Sequence, residues 1–110
     1  MKPDISYNDF DKLDIRIGKI IEASIKEGSE KLLRFVVDLG TEIGKRIIFA
    51  GIRKWYKPEE FINKEYPFLI NMPPKKMLDE ESQGMMLLVD SDKPVPVMPC
   101  EDVVVGMVVR

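Results

Sequence analysis

The residues with the most chemical potential in this chain are cations, and they come in clusters. Lys31 and Arg34 frame the start of one β-like run, and Lys45 and Arg46 open the next. Arg53, Lys54 and Lys57 surround Trp55 and Tyr56, and Lys75 and Lys76 follow Pro73-Pro74. Cations interleaved with aromatics suit a ligand that offers both phosphates and flat bases. Ser82-Gln83-Gly84-Met85 adds a hydroxyl and an amide beside a glycine, groups able to meet base edges, phosphates or a partner's backbone. Each feature also has a plainer reading. Lysines at strand ends discourage edge-to-edge pairing, Trp55 and Tyr56 can pack beneath a helix, and Ser82 and Gln83 can satisfy the backbone of a turn. The run Asp79-Glu80-Glu81 is a weak metal site, because the spacing supplies no further ligands. It reads as a solvated acidic loop.

The whole-chain charge runs against a polyanionic ligand: the formal net charge is −2, so any attraction to phosphate has to be local. Histidine is absent, which removes Ser-His-Asp and Cys-His nucleophiles and the usual zinc sites. Neither a Walker loop nor a GxGxxG turn occurs. These absences point away from an enzyme and imply no cofactor, no metal and no catalytic residue. A single cysteine, Cys100, rules out an intramolecular disulfide and reads as a small apolar filler. No apolar run approaches the roughly 20 residues of a membrane span. The start, Met1-Lys2-Pro3-Asp4, lacks the apolar stretch of a signal peptide. A cytoplasmic protein with no membrane partner is expected.

The elements that must position these residues are mostly strands. A chain of 110 residues with 45% hydrophobic content is one domain with a real core. Ile5 to Leu13 reads as a short helix. Ser6 is its N-cap, Asp9 takes the capping-box position, and Tyr7, Phe10 and Leu13 form a face directed at the body of the fold. Period-two alternation from Asp14 to Ile25 gives a long first strand, with a bulge or bend expected at Gly18. Leu32–Leu39 and Lys45–Ala50 are the second and third strands, joined by a loose connection at Gly40–Gly44. Tyr56–Lys64 is one or two helical turns, with Pro58 at the first helical position and Asn63 in the left-handed position after it. Tyr66–Met72 and Met85–Asp90 are the fourth and fifth strands, and Pro73–Gly84 is a loop between them. Two successive prolines stop strand pairing at Pro73. Five strands with a short helix between the third and fourth is the layout of an OB-fold, an all-β five-stranded barrel. The tail, Ser91–Arg110, is too apolar to dangle. It either completes the barrel or covers an interface.

Beyond this physical reading, several stretches resemble one family. Asp9-Phe10-Asp11-Lys12-Leu13-Asp14-Ile15-Arg16-Ile17-Gly18-Lys19-Ile20 is similar to the opening signature of the tRNA-binding domain found in methionyl-tRNA synthetases and in stand-alone tRNA-binding proteins. Glu27-Gly28-Ser29-Glu30-Lys31-Leu32-Leu33, Ala50-Gly51-Ile52, Tyr56-Lys57-Pro58-Glu59-Glu60, Asn71-Met72-Pro73-Pro74-Lys75-Lys76-Met77 and Glu81-Ser82-Gln83-Gly84-Met85 resemble its later motifs, in order and spacing. The resemblance implies a non-catalytic, homodimeric OB-fold of residues 1–110 that binds tRNA by shape, alone or beside methionyl-tRNA synthetase. It also implies a barrel core over 1–90 and a dimerising extension over 91–110. Carried over by motif, the binding face comprises Lys31, Asn71, Lys75, Lys76, Ser82, Gln83 and Met85. Arg34, Arg53 and Lys54 join it from charge placement. A secretion-chaperone group that binds peptides shares the fold and the opening motif and is the alternative. The sequence departs from the family at Asp79, where glycine is common, and the acidic run beside Lys75-Lys76 would weaken phosphate attraction.

Overall fold

The computed structural model describes residues 1–110. Its elements in chain order are α1 (Tyr7–Phe10), β1 (Ile15–Ile25), β2 (Leu33–Asp38), α2 (Gly40–Ile43), β3 (Lys45–Ala50), a 3-10 turn (Pro58–Phe61), β4 (Glu65–Leu69), β5 (Lys75–Met77), β6 (Glu80–Ser82), β7 (Met85–Met86), β8 (Leu88–Val89), β9 (Val95–Pro96) and β10 (Val108–Val109). The main sheet runs β3-β2-β1-β4-β7, all antiparallel, with β10 on the remaining edge of β1. This is the expected OB-type barrel.

β1 is long because its two halves serve different neighbours along the main sheet. Its first half, Ile15–Lys19, pairs with β4, and its second half, Lys19–Ile25, pairs with β2. The register slips by one residue between Ile20 and Glu22, so the bulge sits there and not at Gly18. The 3-10 turn exploits that irregularity. The Ile20 N–H donates to the Lys64 carbonyl (3.0 Å), and the Asn63 N–H donates to the Ile20 carbonyl (2.8 Å). Gly18 has a different role. A Cβ there would lie 2.5 Å from Val37 Cγ1 and 2.8 Å from Leu39 Cδ2, so glycine lets β1 cross close over β2.

Alternation along the strands sends Leu33, Phe35 and Val37 inward, as their period-two spacing predicts. Phe61, carried by the 3-10 turn, plugs the barrel. Its ring centroid lies 5.0 Å from Phe35, 5.6 Å from Tyr56 and 5.7 Å from Tyr66. Pro58 opens that turn and Asn63, at φ 64°, ends it in the left-handed region, both as expected.

The barrel closes where β3 meets the chain around Ser82–Gln83. The Gln83 N–H donates to the Ile47 carbonyl (2.8 Å), and the Gln83 side-chain oxygen accepts from the Ile47 N–H (2.9 Å). The Ser82 hydroxyl accepts from the Phe49 N–H (3.0 Å). Side chains thus complete a ladder that two-residue β7 is too short to finish.

Several expectations need correction. The capping box at Ser6 and Asp9 forms, but α1 buries no residue, and Tyr7 and Leu13 are exposed. The capping box alone holds this single helical turn, without a face to pack. The connection at Gly40–Gly44 is a helical turn, tied by the Asp38 carboxylate accepting from the Gly40 N–H (2.9 Å). The fourth strand ends at Leu69: the Ile70 N–H still donates to the Asp14 carbonyl (2.9 Å), but the Asp14 N–H is taken by the Asn71 side chain (2.8 Å) in place of backbone. The fifth is split, its second piece, β8, pairing with β9 in the tail. The stretch Pro73–Gly84, expected as a loop, contains the hairpin β5–β6.

Candidate nucleic-acid interface

Two loops reach the same side of the barrel. The first is the turn between β1 and β2. The Ser29 hydroxyl accepts from the N–H groups of Lys31 and Leu32, each at 3.1 Å, and Gly28 turns the chain at φ 85°. This side-chain staple holds the backbone while the Lys31 side chain stays exposed. The second is the β5–β6 hairpin, in which Lys75 pairs with Ser82, Lys76 with Glu81 and Met77 with Glu80. Lys75 and Lys76 are exposed on it.

What fixes this hairpin is a charge cluster at its tip. The Lys26 Nζ lies 2.6 Å from Asp79 Oδ1 and 2.7 Å from Glu80 Oε1. The Arg34 guanidinium grips both Glu80 oxygens at 3.0 to 3.3 Å. Lys26 is 5% exposed, and its ammonium also sits 5.5 Å from the centre of the Phe49 ring. Hydrogen bonds from Arg34 and then Lys26 pull the Glu80 carboxyl down to about 2. The same kind of bond from Lys26 holds Asp79 below the ordinary carboxylate range, and Asp79 and Glu80 raise the Lys26 ammonium in turn.

The acidic run is thus solvated at Asp79 and Glu81, as its composition suggested, but Asp79 and Glu80 are ion-paired and Glu80 is partly buried. Asp79 and Glu80 are turned away from the lysines of their own hairpin and toward the first two strands. Lys26, read as one residue of a polar turn, is the member that sequence reasoning missed. Its signal is faint, because nothing in the spacing distinguishes Lys26 from the other lysines as the partner of the carboxylate run.

Between the two loops lies an open groove of about 350 Å³, lined by Gly28, Ser29, Lys31, Leu32, Lys75, Met77 and Leu78. Lys31 and Lys75 are its charged groups. A second cavity of about 180 Å³ adjoins it, sharing Lys75 and Met77 and adding Phe49, Met72, Ser82, Gly84 and Met85. Gly84 is required there, since a Cβ would lie 2.9 Å from Ile48 Cδ1 and 3.1 Å from the Leu69 carbonyl oxygen.

Of the expected site residues, the fold thus brings Lys31, Lys75, Ser82 and Met85 to two adjoining cavities, with Lys76 exposed on the same hairpin. The others are held elsewhere. Arg34 is engaged by Glu80. The Arg53 guanidinium donates to the Ser29 carbonyl, and its N–H donates to the Lys31 carbonyl (3.1 Å), tying two loops together. Lys54 lies over the Trp55 ring, 5.4 Å from its centre. Asn71 clamps the entry to β1, accepting from the Asp14 N–H (2.8 Å) and donating to the Lys12 carbonyl (2.6 Å). Gln83 closes the barrel, and the buried Ser82 hydroxyl is already committed to Phe49 and the Gly84 carbonyl (3.1 Å). The plainer reading of these two side chains, as backbone satisfiers, describes their geometry.

An OB barrel with a cationic groove between its first loop and its fourth-strand hairpin defines a ligand-binding module. More particularly, residues 15–108 match the family described as "Putative tRNA binding domain", and the chain belongs to that family. It is 44% identical over 107 residues to the methionine–tRNA ligase of Pyrococcus horikoshii, a match covering 96% of this chain and 14% of the ligase. The ligase of Porphyromonas gingivalis is 43% identical over 109 residues, covering 97% of this chain and 16% of that protein. The chain therefore spans only a small part of these curated relatives. Among solved structures, the MetRS-related protein from Pyrococcus horikoshii superposes with a TM-score of 0.88 at 30% identity, covering 99% of this chain and all of the other. The CsaA chaperone protein from Picrophilus torridus superposes at 0.89 with 31% identity, covering 97% of this chain and all of the other.

Proposed function

We propose that this chain is a non-catalytic tRNA-binding module, acting alone or as an auxiliary subunit or domain of methionyl-tRNA synthetase in the cytoplasm. The observation that carries the reading is the convergence of Lys31 and Lys75 on one groove from two different loops. These are the loops between which OB-folds take oligonucleotides. Lys31, Lys75 and Lys76 attract phosphates, and the apolar cavity beside them accommodates the flat face of a base or sugar. Asp79 and Glu80 at the hairpin tip are paired with Lys26 and Arg34, which leaves Lys31 and Lys75 as the charged groups lining the groove despite the negative whole-chain charge. Family membership and the similarity to methionine–tRNA ligases support the same ligand.

The tail supports a homodimer. Val104, Met107, Val108 and Val109 are exposed together on or beside β10, next to an open cavity of about 540 Å³ that they line with Ile17 and Val103. A dimer would present two tRNA faces, which strengthens binding only where one ligand reaches both. Size-exclusion chromatography with light scattering, run with and without bulk tRNA, tests both claims. A dimer that shifts to a larger complex with tRNA is expected, and a monomer that ignores tRNA would overturn them.

One observation favours a second reading, as a peptide-binding, chaperone-like protein. Met72, Met77 and Met85 beside Phe49 make a pliable apolar lining of the kind that accepts varied side chains, and two of the similar structures are CsaA chaperones. Retention of an unfolded peptide with no retention of tRNA would replace the first reading by this one.

A further inference from the structure

The groove accounts for Lys31, Lys75 and Lys76 but leaves the turn after β3 without a role. Here two adjacent aromatics part company. Tyr56 goes inward: its ring packs edge-on against Phe61 and its hydroxyl donates to the Pro94 carbonyl (2.7 Å). Trp55 goes outward and is 38% exposed, although the large side chains Phe35, Phe61 and Phe68 are fully buried. The turn that holds it is tight. The N–H groups of Trp55 and Tyr56 both donate to the Ile52 carbonyl, at 3.0 and 3.1 Å.

The turn is also anchored to the groove. Arg53 donates from its backbone to the Lys31 carbonyl and from its guanidinium to the Ser29 carbonyl. Trp55 is thus two residues from a backbone hydrogen bond to Lys31 itself. Lys54 covers the indole with its ammonium, and Lys57 follows two residues later. Of the two acids on the 3-10 turn, Glu60 directs its carboxylate to the Lys57 N–H (2.7 Å), and Glu59 is exposed. A fixed, exposed indole among cations is the arrangement that stacks a base while its phosphates are held beside it.

We propose that Trp55 is a stacking platform for an unpaired base of the bound RNA, extending the Lys31–Lys75 groove along the turn after β3. Lys57, exposed two residues on, holds a phosphate flanking that base, on the indole face that Lys54 leaves open. The inference rests on the tRNA-binding reading and adds a contact that the groove lysines do not require.

Trp55 is the only tryptophan in the chain, so its fluorescence reports this contact alone. The experiment titrates the full chain with bulk tRNA, following binding by filter retention and, in parallel, indole emission and acrylamide quenching. The expected result is emission quenched along the retention isotherm, with the indole shielded from acrylamide at saturation. Trp55→Ala should weaken retention about tenfold, with Trp55→Phe recovering much of the loss. The salt dependence should keep its slope, because no charge is removed. A blunt, fully paired RNA duplex should bind with little quenching. Retention of tRNA with unchanged emission, unchanged acrylamide access and wild-type affinity in Trp55→Ala would overturn the platform while leaving the tRNA reading intact. Quenching by the duplex equal to that by tRNA would overturn the unpaired base. Absence of retention would remove both readings.

Discussion

Two cationic clusters meet at one hairpin and behave as opposites. At the tip, Lys26 and Arg34 are matched to Asp79 and Glu80 at hydrogen-bonding distance. Along the hairpin and in the groove, Lys31, Lys75 and Lys76 are exposed, and no carboxylate bridges them. The first cluster is spent on structure: it pins β5–β6 to β1 and β2 and withdraws two negative charges from the groove. The second is left with its charge available. Clustered lysine and arginine are therefore not one signal. Whether a cation can meet a phosphate depends on whether a carboxylate already holds it, and that depends on contacts some 50 residues apart, as between Lys26 and Asp79.

The contrast can be broken at either end. Changing Lys75 and Lys76 together to alanine should have the largest effect on tRNA retention. The log–log salt dependence should become shallower by about 1.5 to 2, roughly one unit per lost phosphate contact, with thermal stability almost unchanged. An unaltered slope would take the hairpin lysines out of the interface. Lys26→Met should do the reverse. It leaves Asp79 and Glu80 without their shared partner, so thermal denaturation should show a clear loss of stability and hydrogen exchange should accelerate across 75–82. Binding should weaken with the salt slope preserved, since the groove lysines keep their charge.

Acid titration sharpens the same distinction. Glu80 ionises at about 2 in the folded protein, against about 4.3 for a free glutamate. A depressed carboxyl contributes stability that is fully present above the free value and is lost as pH falls through the folded one. Lys26, raised by the same contacts, contributes stability present below its free value near 10.4 and lost as pH rises through its folded value. The hairpin should thus stay latched across neutral pH and loosen between about pH 4.3 and pH 2, followed by amide exchange of 75–82. Hairpin exchange that is flat through that acid window would separate the latch from Glu80 ionisation. Ser6→Ala should have the smallest effect. Loss of this cap costs about 1 kcal/mol of local helix stability. Because α1 buries nothing, the global melting temperature and tRNA retention should not move.

How much of this was legible in the sequence follows the range of the interactions. Strand identities were, because Leu33, Phe35 and Val37 alternate and Ile15 to Ile25 is rich in β-branched residues. So was the turn after Phe61, because Asn63 tolerates a positive φ where few residues do. Both are local properties of backbone and side chain. The fate of α1 was not, since its periodicity shows a face but not whether the body offers a surface to cover it. Ser82 and Gln83 show the same limit: their donors and acceptors were visible, but the partners at Ile47 and Phe49 on β3 were not.

The sequence by itself determined an all-β barrel, the 3-10 turn with Pro58 at its start and Asn63 after it, and the ordered motifs of a tRNA-binding family. All of these are written in short-range spacing of apolar, glycine, proline and cationic residues. Only the tertiary structure decided which cations are free. Charges pair according to distance in space, and only the fold brings Lys26 and Arg34 to Asp79 and Glu80 while leaving Lys31 and Lys75 facing each other across an open groove.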